Sequence, residues 1–325
     1  MHRREFIAMS TLVTARAAIS ARPGVASVAM KSSIGSSAES AKSSGVIAVE
    51  GAQLPYAVEG EGAPCIVIGS SIYYPRTLSR ELRKHLKFAF STSRHFAPSE
   101  ASFEASRITI DTYSNDVEEL RKTLGLGKVA VMGHSIHGVL ALEYARRYPQ
   151  STSHVIVIAS PPAGLAKEQV AMDSFWEADA SPERKDALKR NLEKLGPDAL
   201  SKLPPGERVI KYYVTNGPKY WYDYNYDASW LWQGMHVNGP VFNRVLGELF
   251  KDYDLAQGPG AITSPVFLAL GRYDYVVPYT LWNDQEKSKL SKLSYDLFAK
   301  SGHTPQLEEP DLFDHKLLEW LRSNR

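Results

Sequence analysis

The sequence predicts an α/β fold, a mostly parallel, doubly wound sheet with a helical cap inserted late in the chain. Three observations carry that expectation. Short, wholly apolar runs of strand length alternate with stretches whose apolar residues recur at helical spacing, the pattern of strands buried on both faces and joined by crossover helices. The alternation stops between about residues 161 and 260 and then resumes. The length of 325 residues, with 43% hydrophobic and 23% charged, suits one large domain plus an insertion, or two small domains.

The elements follow in order from residue 46. Residues 46–49 and 54–58 read as a strand hairpin. Residues 65–68 are wholly apolar and end at Gly69, as expected of a strand buried on both faces. Residues 76–86 have helical character, and 88–91 suit the next strand. Val117, Leu120 and Leu124 mark a helix over 115–124, ended by Gly125 and Gly127. A buried strand over 128–132 precedes a helix over 136–148, which Pro149 stops. Strands over 154–159, 265–270 and 295–299 follow, and an amphipathic helix over 310–322 closes the chain. Residues 161–260 lack strand signals, are polar at first and strongly aromatic later, and read as a cap.

The first 45 residues lie outside this pattern. Residues 1–29 hold four arginines against Glu5 alone, a balance of +3, whereas the whole chain is +2, leaving the remainder near −1. The basicity therefore belongs to the N-terminus, and the body carries no Lys/Arg block of the kind that binds nucleic acid. Arg3-Arg4-Glu5-Phe6-Ile7 resembles a twin-arginine export signal, followed by a mildly apolar stretch that Arg16 interrupts. Ser27-Val28-Ala29 offers small residues for a peptidase. Residues 1–29 thus read as an export signal to a periplasmic or secreted destination, with a cytoplasmic tail as the alternative. Residues 30–45 are Ser-rich and read as a linker. No stretch approaches the ~20 apolar residues that span a bilayer. Cys65 is the only cysteine; it excludes an intrachain disulfide and reads as a small buried hydrophobe.

The chemistry concentrates in Gly133-His134-Ser135-Ile136-His137-Gly138. A buried strand runs into Gly133, and a helix starts directly after Ser135. That is the strand–turn–helix setting of a nucleophile elbow, where a strained turn lifts a serine Oγ above the sheet and the helix N-terminus supplies backbone N–H groups. Here the sequence resembles the α/β-hydrolase fold superfamily, and within it the capped branch of proline iminopeptidases and related serine esterases, over residues 46–325. It departs from G-x-S-x-G at His137, with Gly138 one residue late.

The resemblance implies the order Ser, Asp, His. Residues 265–270 end in Gly271-Arg272-Tyr273-Asp274, similar to the family's acid loop, and Ser301-Gly302-His303-Thr304-Pro305 resembles its histidine loop. Each residue alone also suits an ordinary cap or loop role; all three, in order and each after a predicted strand, point to a Ser135–His303–Asp274 triad. After the strand over 154–159, the other acid position of the family holds Ser160, Pro161 and Pro162, so Asp274 has no nearby rival. The implied chemistry is attack of Ser135 on a carbonyl, with His303 as base, Asp274 orienting it, and an acyl-enzyme intermediate. Oxyanion donors are expected from the N–H of Ile136 and of Ser71, with Ser70 as the neighbouring register, because Gly69-Ser70-Ser71-Ile72 replaces the family's Gly-rich loop.

His134 and His137 are read as packing residues, since a metal site usually needs three or four ligands; no metal and no cofactor is expected. Tyr220, Trp221, Tyr224 and Trp230 are candidate substrate-binding residues, a wall for an apolar group, or alternatively the cap's own core. Asp223, Asp227, Glu177 and Asp179 are the cap carboxylates that would serve a substrate amine. The expected function is hydrolysis of an ester or amide of a small, fairly apolar molecule or short peptide. An iminopeptidase-like aminopeptidase is the alternative, and a C–C bond hydrolase or a non-catalytic binding protein comes after it. A serine in the nucleophile position argues against an epoxide hydrolase or dehalogenase, which use a carboxylate there.

Overall fold

The computed structural model describes residues 42–98, 104–196, 198–258 and 260–324. The expected export signal, and the linker up to residue 41, lie outside them. Eight strands form one sheet: β1 (Ser43–Val49), β2 (Ala52–Glu59), β3 (Ala63–Gly69), β4 (Leu86–Thr92), β5 (Val129–His134), β6 (Thr152–Ile158), β7 (Val266–Gly271) and β8 (Leu293–Phe298). Their spatial order is β1-β2-β4-β3-β5-β6-β7-β8. The β1–β2 and β2–β4 pairs are antiparallel, and every later pair is parallel. β1 starts at Ser43, so the last residues assigned to the linker are strand.

Helices cover both faces of this sheet, because successive strand side chains point to opposite sides. Ile66 and Ile68 of β3, Val131 of β5, Val155 and Val157 of β6 and Leu268 of β7 face one core. There they meet α1 (Ile110–Thr123) and α2 (Ile136–Arg147). Cys65, Val67, Met132, Ile156, Ile158 and Phe267 face the other. That side is closed by Phe313, Leu317 and Trp320 of the last helix, Pro310–Ser323. The alternation explains why the central strands read as unbroken apolar runs.

The segment predicted as a helix over 76–86 is not one. It holds two short 3-10 turns, Tyr74–Arg76 and Leu82–Lys84. The Arg83 guanidinium donates to the carbonyls of Pro75, Leu78 and Ser79, and the Ser79 hydroxyl accepts the Leu82 N–H. Side chains thus take the partners that a helical ladder would need. α1 begins five residues earlier than expected, at a capping box in which Thr109 and Thr112 bond each other's backbone N–H groups.

Between β6 and β7 the chain is helical: α3 (Leu165–Asp179), α4 (Pro182–Leu195), α5 (Pro205–Thr215), α6 (Gly217–Tyr220) and α7 (Gly239–Arg244). Apart from one bridge between Ala163 and Asp254, no strand occurs there among the described residues. Several hydrogen bonds fasten this layer to the sheet's loops. Arg272 makes a bidentate pair with Asp179 at 2.9 and 2.5 Å. Arg76 donates to the Trp230 and Leu231 carbonyls. The Tyr275 N–H donates to the Lys219 carbonyl at 3.1 Å. After β7 come α8 (Asp284–Ser288), α9 (Pro305–Glu308) and, as the last helix already described, α10. No helix among the described residues is long and apolar enough to cross a membrane.

Candidate active site

β5 runs into the N-terminus of α2 through one residue. Ser135 holds φ 56°, ψ −130°, a strained conformation for a residue with a Cβ. Its N–H donates to the Ile158 carbonyl at 2.8 Å and its carbonyl accepts from Gly138 at 2.9 Å. Backbone bonds on both sides therefore hold the turn. The side chain is part-exposed, and its hydroxyl makes no hydrogen bond among the described residues.

Two glycines make the turn sterically feasible. A Cβ at Gly133 would lie 1.9 Å from the His137 carbonyl oxygen. A Cβ at Gly138 would lie 2.6 Å from the Ser160 Cβ at the end of β6. Gly138 thus supplies the close helix-to-strand approach that the motif's second glycine gives, one residue later, and the place before it is free for His137.

Asp274 follows β7 and is fully buried. Its Oδ1 accepts the N–H groups of Val276 and Val277 at 2.9 and 2.8 Å. Its Oδ2 faces His303 Nδ1 at 2.7 Å. The His303 N–H donates to the Tyr220 carbonyl of the cap at 2.5 Å, and the Tyr220 ring stands edge-on to the imidazole at 5.4 Å. Gly302 makes this approach possible: a Cβ there would lie 2.2 Å from the Tyr220 oxygen. Glu308 braces the same loop. Its Oε2 accepts from Gly302 and Thr304, on either side of His303, and its Oε1 accepts from Tyr222 of the cap. Burial nevertheless pushes the Glu308 carboxyl up to about 7, with the Asp274 charge adding to the effect.

The two expected oxyanion registers differ. The Ser71 N–H is taken by Thr92 Oγ1 at 3.3 Å, and its hydroxyl meets the same oxygen at 2.8 Å. The N–H groups of Ser70 and Ile136 have no partner among the described residues. Ser70 Oγ instead accepts from Ile72 and Tyr73 and shapes the loop. Of the two registers, only Ser70 thus leaves its N–H without a partner among the described residues.

Of the four aromatic candidates, only Tyr220 touches His303. Trp221 packs with Ala228 and Leu231 in the cap's own core. Tyr224 lies under the Arg184 guanidinium at 5.3 Å. Trp230 is exposed and donates its indole N–H to the Tyr226 hydroxyl. Only Trp221 of these three is claimed by the cap's hydrophobic core. Around Tyr220, the structure adds Tyr73, Tyr213 and Trp232, which sequence reasoning missed. Their only signal was aromatic density, which says nothing of direction. Among the described residues no group of three or more His, Cys, Asp or Glu is arranged to hold a metal ion. His134 and His137 are buried, as packing residues are, but they also bond to polar neighbours.

A mostly parallel eight-stranded sheet with a positive-φ serine at the strand–helix junction is the architecture of an α/β hydrolase. The chain belongs to that family: the alpha/beta hydrolase fold model matches residues 69–310. It is 36% identical to the AB hydrolase superfamily protein YclE of Bacillus subtilis, over 85% of this chain and 98% of that protein. It is 26% identical to a proline iminopeptidase of Heyndrickxia coagulans, over 78% and 88% of the two chains. Among solved structures, a proline iminopeptidase of Mycobacterium smegmatis superposes with a TM-score of 0.66 at 16% identity, covering 87% of this chain and 98% of that one. A thermophilic esterase of Thermogutta terrifontis gives 0.56 at 18% identity, covering 84% and 94%.

Proposed function

We propose that this α/β hydrolase is a serine esterase for small, fairly apolar acyl groups. Ser135 is the nucleophile, His303 the general base and Asp274 its orienting acid. Supporting this reading above all is the 2.7 Å Asp274–His303 pair at the edge of the sheet that carries the strained Ser135. His303 Nε2 takes the Ser135 proton as Oγ adds to the substrate carbonyl. The oxyanion is received by the Ile136 and Ser70 N–H groups. His303 then gives the proton to the leaving alkoxide oxygen, and an acyl-serine remains. Water, deprotonated by His303, releases the acid and restores Ser135.

An ester is favoured over an amino-terminal peptide because the cap carboxylates that would hold a substrate amine are engaged elsewhere. Asp179 is paired with Arg272 and the Tyr275 hydroxyl. Glu177 meets Lys185. Asp223 and Asp227 cap the N–H groups of Asn225 and Ser229. The second reading, an aminopeptidase, draws on the relatives named proline iminopeptidase. Fluorophosphonate should label wild type and not Ser135→Ala. Turnover of p-nitrophenyl butyrate should exceed that of prolyl-naphthylamide, and the reverse order would sustain the aminopeptidase. Export through the Arg3-Arg4 leader is proposed too; a mature N-terminus near Met30 would support it, and an uncleaved cytoplasmic chain would refute it.

A further inference from the structure

His137, the residue that breaks the elbow motif, is one link in a buried line of polar rings. His134 Nε2 meets the His303 carbonyl oxygen at 2.6 Å. His137 Nδ1 lies 2.8 Å from the Tyr74 hydroxyl and 3.2 Å from the His134 carbonyl. His137 Nε2 meets His95 Nε2 at 3.0 Å, with the rings 20° apart. His95 Nδ1 meets the Tyr113 hydroxyl at 3.0 Å. The Tyr74 hydroxyl also makes long contacts with His134 Nδ1 and the His134 carbonyl. All five side chains are buried. They come from four places: the turn after β3, the elbow, the end of β4 and α1.

One carbonyl, which can only accept, fixes the first proton, and satisfying the remaining buried groups orders the others. His134 Nε2 faces that carbonyl and must carry hydrogen, leaving its Nδ1 bare. His137 Nδ1 lies between the His134 carbonyl and the Tyr74 hydroxyl; carrying hydrogen there suits the carbonyl and leaves its Nε2 bare. His95 must then donate from Nε2, and its bare Nδ1 accepts the Tyr113 hydroxyl hydrogen. The Tyr74 hydrogen is left for His134. The reverse order would leave the Tyr113 hydrogen without an acceptor. Burial keeps the three imidazoles neutral: His95 and His134 are held well below the usual histidine range, and His137 is pushed down to about 4.

We propose that Tyr113, His95, His137, Tyr74 and His134 form a one-directional hydrogen-bond chain that positions the backbone of His303 and ties the oxyanion loop and the elbow to it. These are positioning residues, and the proposal rests on the reading of His303 as the base. Every member is neutral with a single fixed tautomer, so the chain has one arrangement. It delivers its last hydrogen to the carbonyl of the residue whose ring must meet Ser135. Gly69 belongs to the same device, since a Cβ there would lie 2.3 Å from the Tyr74 ring and 3.0 Å from the His137 ring.

Side-chain nitrogen NMR of the 15N-histidine-labelled full chain at pH 7.5 tests the order directly. His134 and His95 should carry hydrogen on Nε2 and His137 on Nδ1; any one in the opposite form, or doubly protonated, overturns the chain. Tyr74→Phe and His95→Phe, checked for native circular dichroism, should lower kcat for p-nitrophenyl butyrate by roughly ten- to a hundredfold. KM should stay within about twofold. An unchanged kcat in both overturns the positioning role. Failure of the underlying reading looks different: wild type would resist fluorophosphonate, and the positioning claim would fall even with the tautomers as stated.

Discussion

At the scale of single residues, the site depends on glycines placed for contact and on buried groups whose protonation opposes or favours folding. Gly138→Ala improves helix propensity by about 1 kcal/mol, but its Cβ would meet Ser160 at 2.6 Å. Overpacking of that kind costs about 1–3 kcal/mol, so urea denaturation should show a net loss of stability. His137 and Glu308 give proton linkages of opposite sign. The His137 value is depressed from 6.5 to about 4; the unfolded chain binds the extra proton between those limits. Its stabilising contribution is therefore present above pH 6.5 and fades as pH falls toward 4. His137→Gln should flatten the slope of unfolding free energy in that window by about 1.4 kcal/mol per pH unit. The Glu308 value is raised from 4.5 to about 7. Its contribution is complete below pH 4.5 and fades as pH rises through 7, and Glu308→Gln should remove that fade. Urea midpoints from pH 4 to 8 measure both, and slopes equal to wild type would contradict them.

At the scale of elements, the helical layer and the histidine loop are in backbone contact. The His303 N–H reaches the Tyr220 carbonyl, and Gly302 lies against it. Gly302→Ala should push that layer off the loop and cut kcat for p-nitrophenyl butyrate by roughly a hundredfold; a variant with native kcat would show that the contact does not matter. The elements themselves were unequally legible. β3, β5, β6 and β7 are buried on both faces, so their apolar runs marked them, with Ser135 and Asp274 after β5 and β7; His303 follows the half-exposed edge strand β8. The stretch 76–86 looked helical because nothing in its spacing reveals that the Arg83 guanidinium takes the carbonyls of Pro75, Leu78 and Ser79. The aromatic cap was visible as a segment, but not which rings turn toward His303. Trp221 packs in the cap's own core, Tyr224 lies under Arg184, and Trp230 is exposed and bonds Tyr226.

At the scale of the whole molecule, the sheet and its covering helices enclose two cores. The register of β1 against β2 begins at Ser43 opposite Val58. A chain starting at Lys42 keeps all of that register. One starting at Ala52 loses Ile47 from the core and should melt several degrees lower; equal melting of the two would mean that β1 adds no stability. The line from Tyr113 to His303 was invisible to sequence reasoning, because its members are scattered between residues 74 and 303 and only the fold gathers them. The bond from His303 to Tyr220 has a further consequence. A lid grafted from another hydrolase would have to present a main-chain oxygen at that point, or the loop of the proposed base would lose its anchor. On the proposed mechanism, lid and base are not interchangeable modules in this chain.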